Sequence, residues 1–239
     1  MTTLDQHPLL SHLLELRSRL MRILWVVLIV FLLLFHWAKD LYHLLALPLL
    51  ENLPKGGQMI ATDPITPFMI PMKVAFLTTF LITLPHTLYQ LWAFIAPGLY
   101  RHEKKLITPL IASSTLLFFA GMSFAYFLVL PMVFKFMQGV TPEGVAMMTD
   151  ISSYLDFVIG LFLAFGGAFE VPVVVVILVR MGIVSIEKLK ASRSYVIVGS
   201  FVIAAIVTPP DVVSQLMLAI PLCLLFEIGL LASRFSVKK

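Results

Sequence analysis

Six apolar runs, separated by segments that carry nearly all the charge, leave this chain few folds to choose from. Only 13% of its 239 residues are Asp, Glu, Lys or Arg and 60% are hydrophobic, against about 25% and 45–50% in a soluble globular domain. Mean hydropathy is +1.00. A helix needs roughly 17–25 apolar residues to cross about 30 Å of hydrocarbon, and in lipid it satisfies its own backbone hydrogen bonds. The runs fall at about residues 21–38, 74–95, 106–134, 154–179, 195–208 and 212–232. We therefore expect an all-α integral membrane protein, six transmembrane helices in one polytopic domain over 1–239.

Basic residues stay on the cytoplasmic side of a bilayer, so their distribution sets orientation. Arg17, Arg19 and Arg22 precede or open the first run, and Arg101, Lys104 and Lys105 lie between the second and third. Arg180, Lys188, Lys190 and Arg193 separate the fourth and fifth, and Arg234, Lys238 and Lys239 follow the sixth. Only Lys39, Lys55, Lys73 and Lys135 fall on the other side. The asymmetry predicts cytoplasmic N- and C-termini, with Glu15, Glu103 and Glu187 on that face. The net charge of +4 is thus a matter of topology and says nothing of nucleic acid. No small-residue cleavage site follows the first run, which reads as a retained span. The single cysteine, Cys223, excludes an internal disulfide and a cysteine metal site.

The outer connections differ. Leu41, Leu44, Leu45 and Leu49 sit near helical spacing in Asp40–Leu53, which predicts a helix lying in the interface. Pro64, Pro67 and Pro71 predict an extended return segment. Gly139 to Asp150 is polar and turn-rich, and the last outer loop is hardly more than Pro209-Pro210-Asp211. The fifth run has fourteen residues, about 21 Å of helix, and stops short of a full crossing. With Ser214 and Gln215 at its neighbour's outer end, this pair suits protein contact better than lipid contact.

Glu170 is the sharpest intramembrane signal. It follows Gly166-Gly167-Ala168-Phe169 and precedes Val171-Pro172. An ionised carboxylate there costs at least about 2.5–3.5 kcal/mol, so it must be protonated, paired or beside water. A kink at Pro172 beside that acid predicts a concave, wet pocket. Glu227 stands near the inner end of the sixth run. Asp156 and Asp211 suit the first turns of helices, and His86 beside Pro85 reads as a packing residue. At the N-terminus Glu15 and Arg19 are four apart, an ordinary helical ion pair, behind an apolar stripe of Leu9, Leu13, Leu16 and Leu20 suited to the membrane surface. Glu103 sits among Arg101, His102, Lys104 and Lys105, so both Glu15 and Glu103 are carboxylates in basic company on one face.

Longer strings carry a resemblance. His12-Leu13-Leu14-Glu15-Leu16-Arg17-Ser18-Arg19-Leu20, Tyr89-Gln90-Leu91-Trp92-Ala93-Phe94-Ile95-Ala96-Pro97-Gly98-Leu99-Tyr100-Arg101-His102-Glu103-Lys104 and Phe124-Ala125-Tyr126-Phe127 are similar to the TatC family, the polytopic subunit of the twin-arginine protein translocase. So are Ala164 to Pro172 and Thr208-Pro209-Pro210-Asp211-Val212-Val213-Ser214-Gln215. The resemblance runs from about residue 9 to 235. It implies a concave, glove-like, six-helix receptor in the bacterial cytoplasmic (inner) membrane that binds the arginine pair of export signal peptides. The positions that match are Glu15, Leu16, Arg17, Phe94 and Glu103. A guanidinium offers a carboxylate a planar fork where an ammonium is a point charge, and Phe94 and Leu99 would meet the apolar residues that follow the pair. It further implies a role for Glu170 in the groove, for Pro48 and Asp211 on the outer side, and for Ala205, Thr208 and Gln215 at the surface meeting the single-span partners TatA and TatB. Ala205 stands where some relatives carry a methionine. No cofactor is implied; transport of folded passengers would draw on the proton-motive force, with partners or further TatC copies completing the path.

Two other readings remain open on the sequence. A proton- or ion-coupled solute transporter would use Glu170 as carrier, although no second Gly-Glu-Pro-like break mirrors it in the first half. An intramembrane enzyme would need a motif such as HExxH or GxSxG, and neither is present. Nor is a phosphate-binding GxxxxGK[ST].

Overall fold

The computed structural model describes residues 8–43, 59–95, 107–140, 149–208 and 212–237. Helices account for nearly all of it: α1 Pro8–Leu34, α2 Thr66–Ile95, α3 Ile107–Phe124, α4 Leu130–Val140, α5 Ile151–Arg180, α6 Ile186–Ala191, α7 Arg193–Val207 and α8 Val212–Val237. Two residue pairs, β1 Met59–Ile60 and β2 Thr149–Asp150, form a short parallel bridge. Among the described residues five helical segments are long and apolar enough to cross a membrane, and Arg193–Val207 is a shorter apolar one. Its fifteen residues amount to about 22 Å, short as the sequence predicts.

The chain groups into two compact units, 1–45 with 71–115 and 46–70 with 116–239. In the first, α1 continues through a 3₁₀ turn, Phe35–Trp37, to residue 43. The stripe of Leu13, Leu16 and Leu20 therefore belongs to the same unbroken helix as the first span, not to a separate surface helix. No Gly, Pro or capping residue separates Leu20 from Met21, so nothing ends the helix there. Phe31 meets Phe76 of α2 edge-on at 6.2 Å, and the Trp92 indole of α2 donates to the Ser114 hydroxyl of α3 at 3.3 Å.

The expected extended return segment is also corrected. Asp63 accepts from the Ile65 amide at 3.1 Å through Oδ1, and its carbonyl accepts from Thr66 at 3.1 Å, so α2 starts at Thr66. Pro67 then occupies the first turn, where amides lack partners anyway, and Pro71 lies within the helix. Of the three prolines only Pro64 precedes it.

In the second unit a five-residue π turn, Ala125–Val129, joins α3 to α4. Pro131 follows it and has no N–H to return to the Phe127 carbonyl, a recognised cause of such irregularity. Asp150, rather than Asp156, caps α5: its carboxylate accepts from the Ser153 amide at 3.0 Å and also from the Thr62 hydroxyl beyond β1 at 3.0 Å. Asp156 lies a turn and a half further in.

Between lipid-bathed helices there is little hydrophobic drive, so close packing must hold them together. Val175 of α5 joins Phe226 and Leu230 of α8 in a buried cluster flanked by Val171, Leu189 and Val196. Gly166 lies under the Phe118 ring, whose Cζ would stand 2.5 Å from a Cβ added there. α5 runs as one helix from Ile151 to Arg180 through Pro172. It ends at Gly182, whose φ of 68° suits a residue without a side chain.

Candidate functional site

The candidate site is built on the N-terminal part of α1 and the C-terminal part of α2. His12, Glu15 and Arg19 recur at three and four residues, and so share one face of α1. Gln90 and Phe94, one helical turn apart on α2, meet that face. The His12 imidazole stacks on the Phe94 ring with centroids 4.3 Å apart and planes at 18°. Arg19 Nε donates to Glu15 Oε1 at 3.0 Å and Nη2 to the same oxygen at 2.6 Å. Nη1 donates across the helix junction to Gln90 Oε1 at 3.3 Å.

Of the sequence-derived recognition residues, the structure brings Glu15 and Phe94 to this junction. Arg17 lies two residues beyond Glu15, about 200° around the helix, and is exposed with Leu16. Leu99 and Glu103 lie outside the described residues, as do Pro48 and Asp211. The sequence reading missed Gln90 and His12. The signal was available for Gln90, a polar residue near the end of an apolar span, buried to 4% exposure.

Glu170 sits two-thirds of the way along α5, part-exposed with both carboxylate oxygens buried. Phe169 beside it tilts against Phe124 of α3 at 5.8 Å. A space of about 320 Å³ lies between α7 and α8, lined by Phe201, Ile220, Cys223 and the Arg193–Glu227 pair. Arg193 Nη2 donates to Glu227 Oε2 at 2.6 Å, which gives Glu227 a structural partner. Ala205 is exposed and Gln215 half-buried. Thr208 is buried, its hydroxyl donating to the Ala204 carbonyl at 2.7 Å. Among the described residues no group of three or more His, Cys, Asp or Glu side chains is placed to hold a metal.

The sequence profile of the family described as "Sec-independent protein translocase protein (TatC)" matches residues 11–221. The chain belongs to the TatC family. The TatC of Escherichia coli (strain K12) is 52% identical over 239 residues, covering 100% of this chain and 93% of that protein. The TatC of Haemophilus influenzae is 51% identical over 235 residues, 98% and 92% of the two chains. A crystal structure of the twin-arginine translocase receptor TatC superposes with a TM-score of 0.85 at 40% identity, covering 95% of this chain and 99% of that one. As a TatC protein the chain is a multi-pass membrane component of a protein translocase rather than an enzyme. Both the solute-transporter and the intramembrane-enzyme readings fall away.

Proposed function

We propose that this chain is the receptor of its translocase: it binds the arginine pair of an export signal peptide at the α1–α2 junction and hands the folded passenger to TatA- and TatB-type partners. The carrying observation is the chemistry of Glu15. One oxygen of its carboxylate accepts two N–H bonds from a guanidinium in a partly buried niche, a convergence that suits the planar guanidinium better than a lysine ammonium. Glu103 supplies the second carboxylate, so two acids face two arginines. Leu16, Phe94 and Leu99 take the apolar residues behind the pair, and Arg17 flanks it. Both termini are cytoplasmic by the charge asymmetry, in the inner membrane of a bacterium, and the proton-motive force drives transport. Glu170 acts after recognition, in the membrane. Pro48 and Asp211 act on the outer side, and Ala205, Thr208 and Gln215 form the surface for partner helices, with further TatC copies in the complex.

The test is the affinity of the solubilised protein for a signal peptide carrying two arginines, against a two-lysine twin. The arginine peptide should bind more tightly, and Glu15→Gln or Glu103→Gln should each weaken it about tenfold, as expected for losing a charge-assisted bond. Equal binding of the two peptides would overturn the receptor reading.

A further inference from the structure

Glu15 is already engaged by its own helix. Arg19 commits two nitrogens to Oε1 and its third to Gln90. A surface pair at this spacing needs no third partner. Here a buried amide from the neighbouring helix fixes the guanidinium plane, and the Arg19 side chain is only 19% exposed. Among the described residues Glu15 Oε2 accepts no hydrogen bond. His12 covers the face of Phe94 in the same way, at 4.3 Å.

On the receptor reading, an incoming arginine finds the carboxylate occupied by the same chemical group that it would itself supply. We propose that Arg19, tethered by Gln90, is an internal latch on the recognition site: a built-in guanidinium that a ligand guanidinium must displace from Glu15. The exchange is like for like, one guanidinium for another on Glu15, so it costs the ligand no geometry. It divides the affinity of every cationic ligand by one factor. Lysine pairs, weaker from the start, are thereby pushed out of the working range while arginine pairs remain within it. The released Arg19 keeps Gln90 as an acceptor, so it is not left without a partner when the ligand is bound.

The experiment uses the full chain in detergent and the two-arginine peptide as probe. Arg19→Gln should tighten binding about two- to fivefold, the worth of a part-exposed ion pair. It also removes a positive charge, so two further variants separate the latch from simple repulsion. Arg19→Lys keeps the charge without the fork, and Gln90→Leu leaves every charge in place and cuts the tether; both should tighten binding, by about twofold. In a Glu15→Gln background none of the three should change the affinity. Unchanged or weakened binding in both Arg19→Lys and Gln90→Leu would overturn the latch while leaving the receptor standing. A wild-type chain with no preference for arginine would overturn both.

Discussion

Gly229 of α8 meets the backbone of Pro172 in α5: a Cβ at position 229 would stand 2.9 Å from the Pro172 Cα and 3.1 Å from the Val175 Cβ. The two helices approach here as closely as their main chains allow. Pro172 thus does more than omit a hydrogen bond two residues beyond Glu170. Its main chain is where the Glu170 helix is braced by its neighbour, beside Val175 of the Val175–Phe226–Leu230 cluster.

Gly229→Ala should therefore destabilise the protein by about 1–3 kcal/mol, the usual cost of forcing extra volume into a packed contact, because a backbone atom cannot swing aside as a side chain would. Gly199→Ala is the control, since a Cβ there meets nothing within 4 Å. Thermal unfolding in detergent should show a lowered midpoint for the first variant and little change for the second. Equal midpoints would mean that the α5–α8 contact relaxes freely.

The bridge between Asp150 and Thr62 carries a pH dependence. The Ser153 amide foremost, and then the Ser153 and Thr62 hydroxyls and the Thr62 amide, hold the Asp150 carboxyl below its ordinary value, which is about 3.9. A depressed folded-state pKa stabilises above the unfolded value and is lost as pH falls through the folded one. Hydrogen exchange at the Ser153 and Thr62 amides should stay protected from neutral pH down to about 4 and lose protection below it. Asp150→Ala should remove protection at every pH. Protection that persists well below the carboxylate range in the wild type would assign these amides to other partners.

Elements governed by local rules were legible in the sequence, and those made by distant contacts were not. The apolar runs gave the helices, because length and composition alone decide what can cross a bilayer. The Glu15–Arg19 pair followed from spacing. The errors came where a local rule was applied without the helix start being known. Pro67 and Pro71 read as extended chain because proline disfavours helix interiors, yet the first turn tolerates Pro67 and the helix runs on through Pro71. Asp156 read as the first-turn acid because the start of α5 was placed too late, when Asp150 is the cap. Gln90 reaching Arg19 and Arg193 reaching Glu227 join residues 71 and 34 positions apart, and no periodicity encodes such a pairing.

Glu170 offers the sharpest division of labour. It belongs to the unit formed by 46–70 and 116–239, whereas Glu15 and Phe94 belong to the other. A carboxylate whose oxygens are both buried within a helix is costly to keep ionised in a membrane, and the proposed function assigns it a step after recognition. Glu170→Ala and the nearly isosteric Glu170→Gln should both bind the two-arginine peptide within twofold of wild type, while passenger export by cells carrying either variant falls about tenfold or more, the scale expected when a required intramembrane acid is lost. Gln preserves volume and hydrogen bonding but cannot ionise. Full export by Glu170→Gln would mean that shape and hydrogen bonding suffice. Loss of peptide binding in either variant would place Glu170 in recognition itself and overturn the assignment of the acid to a later step.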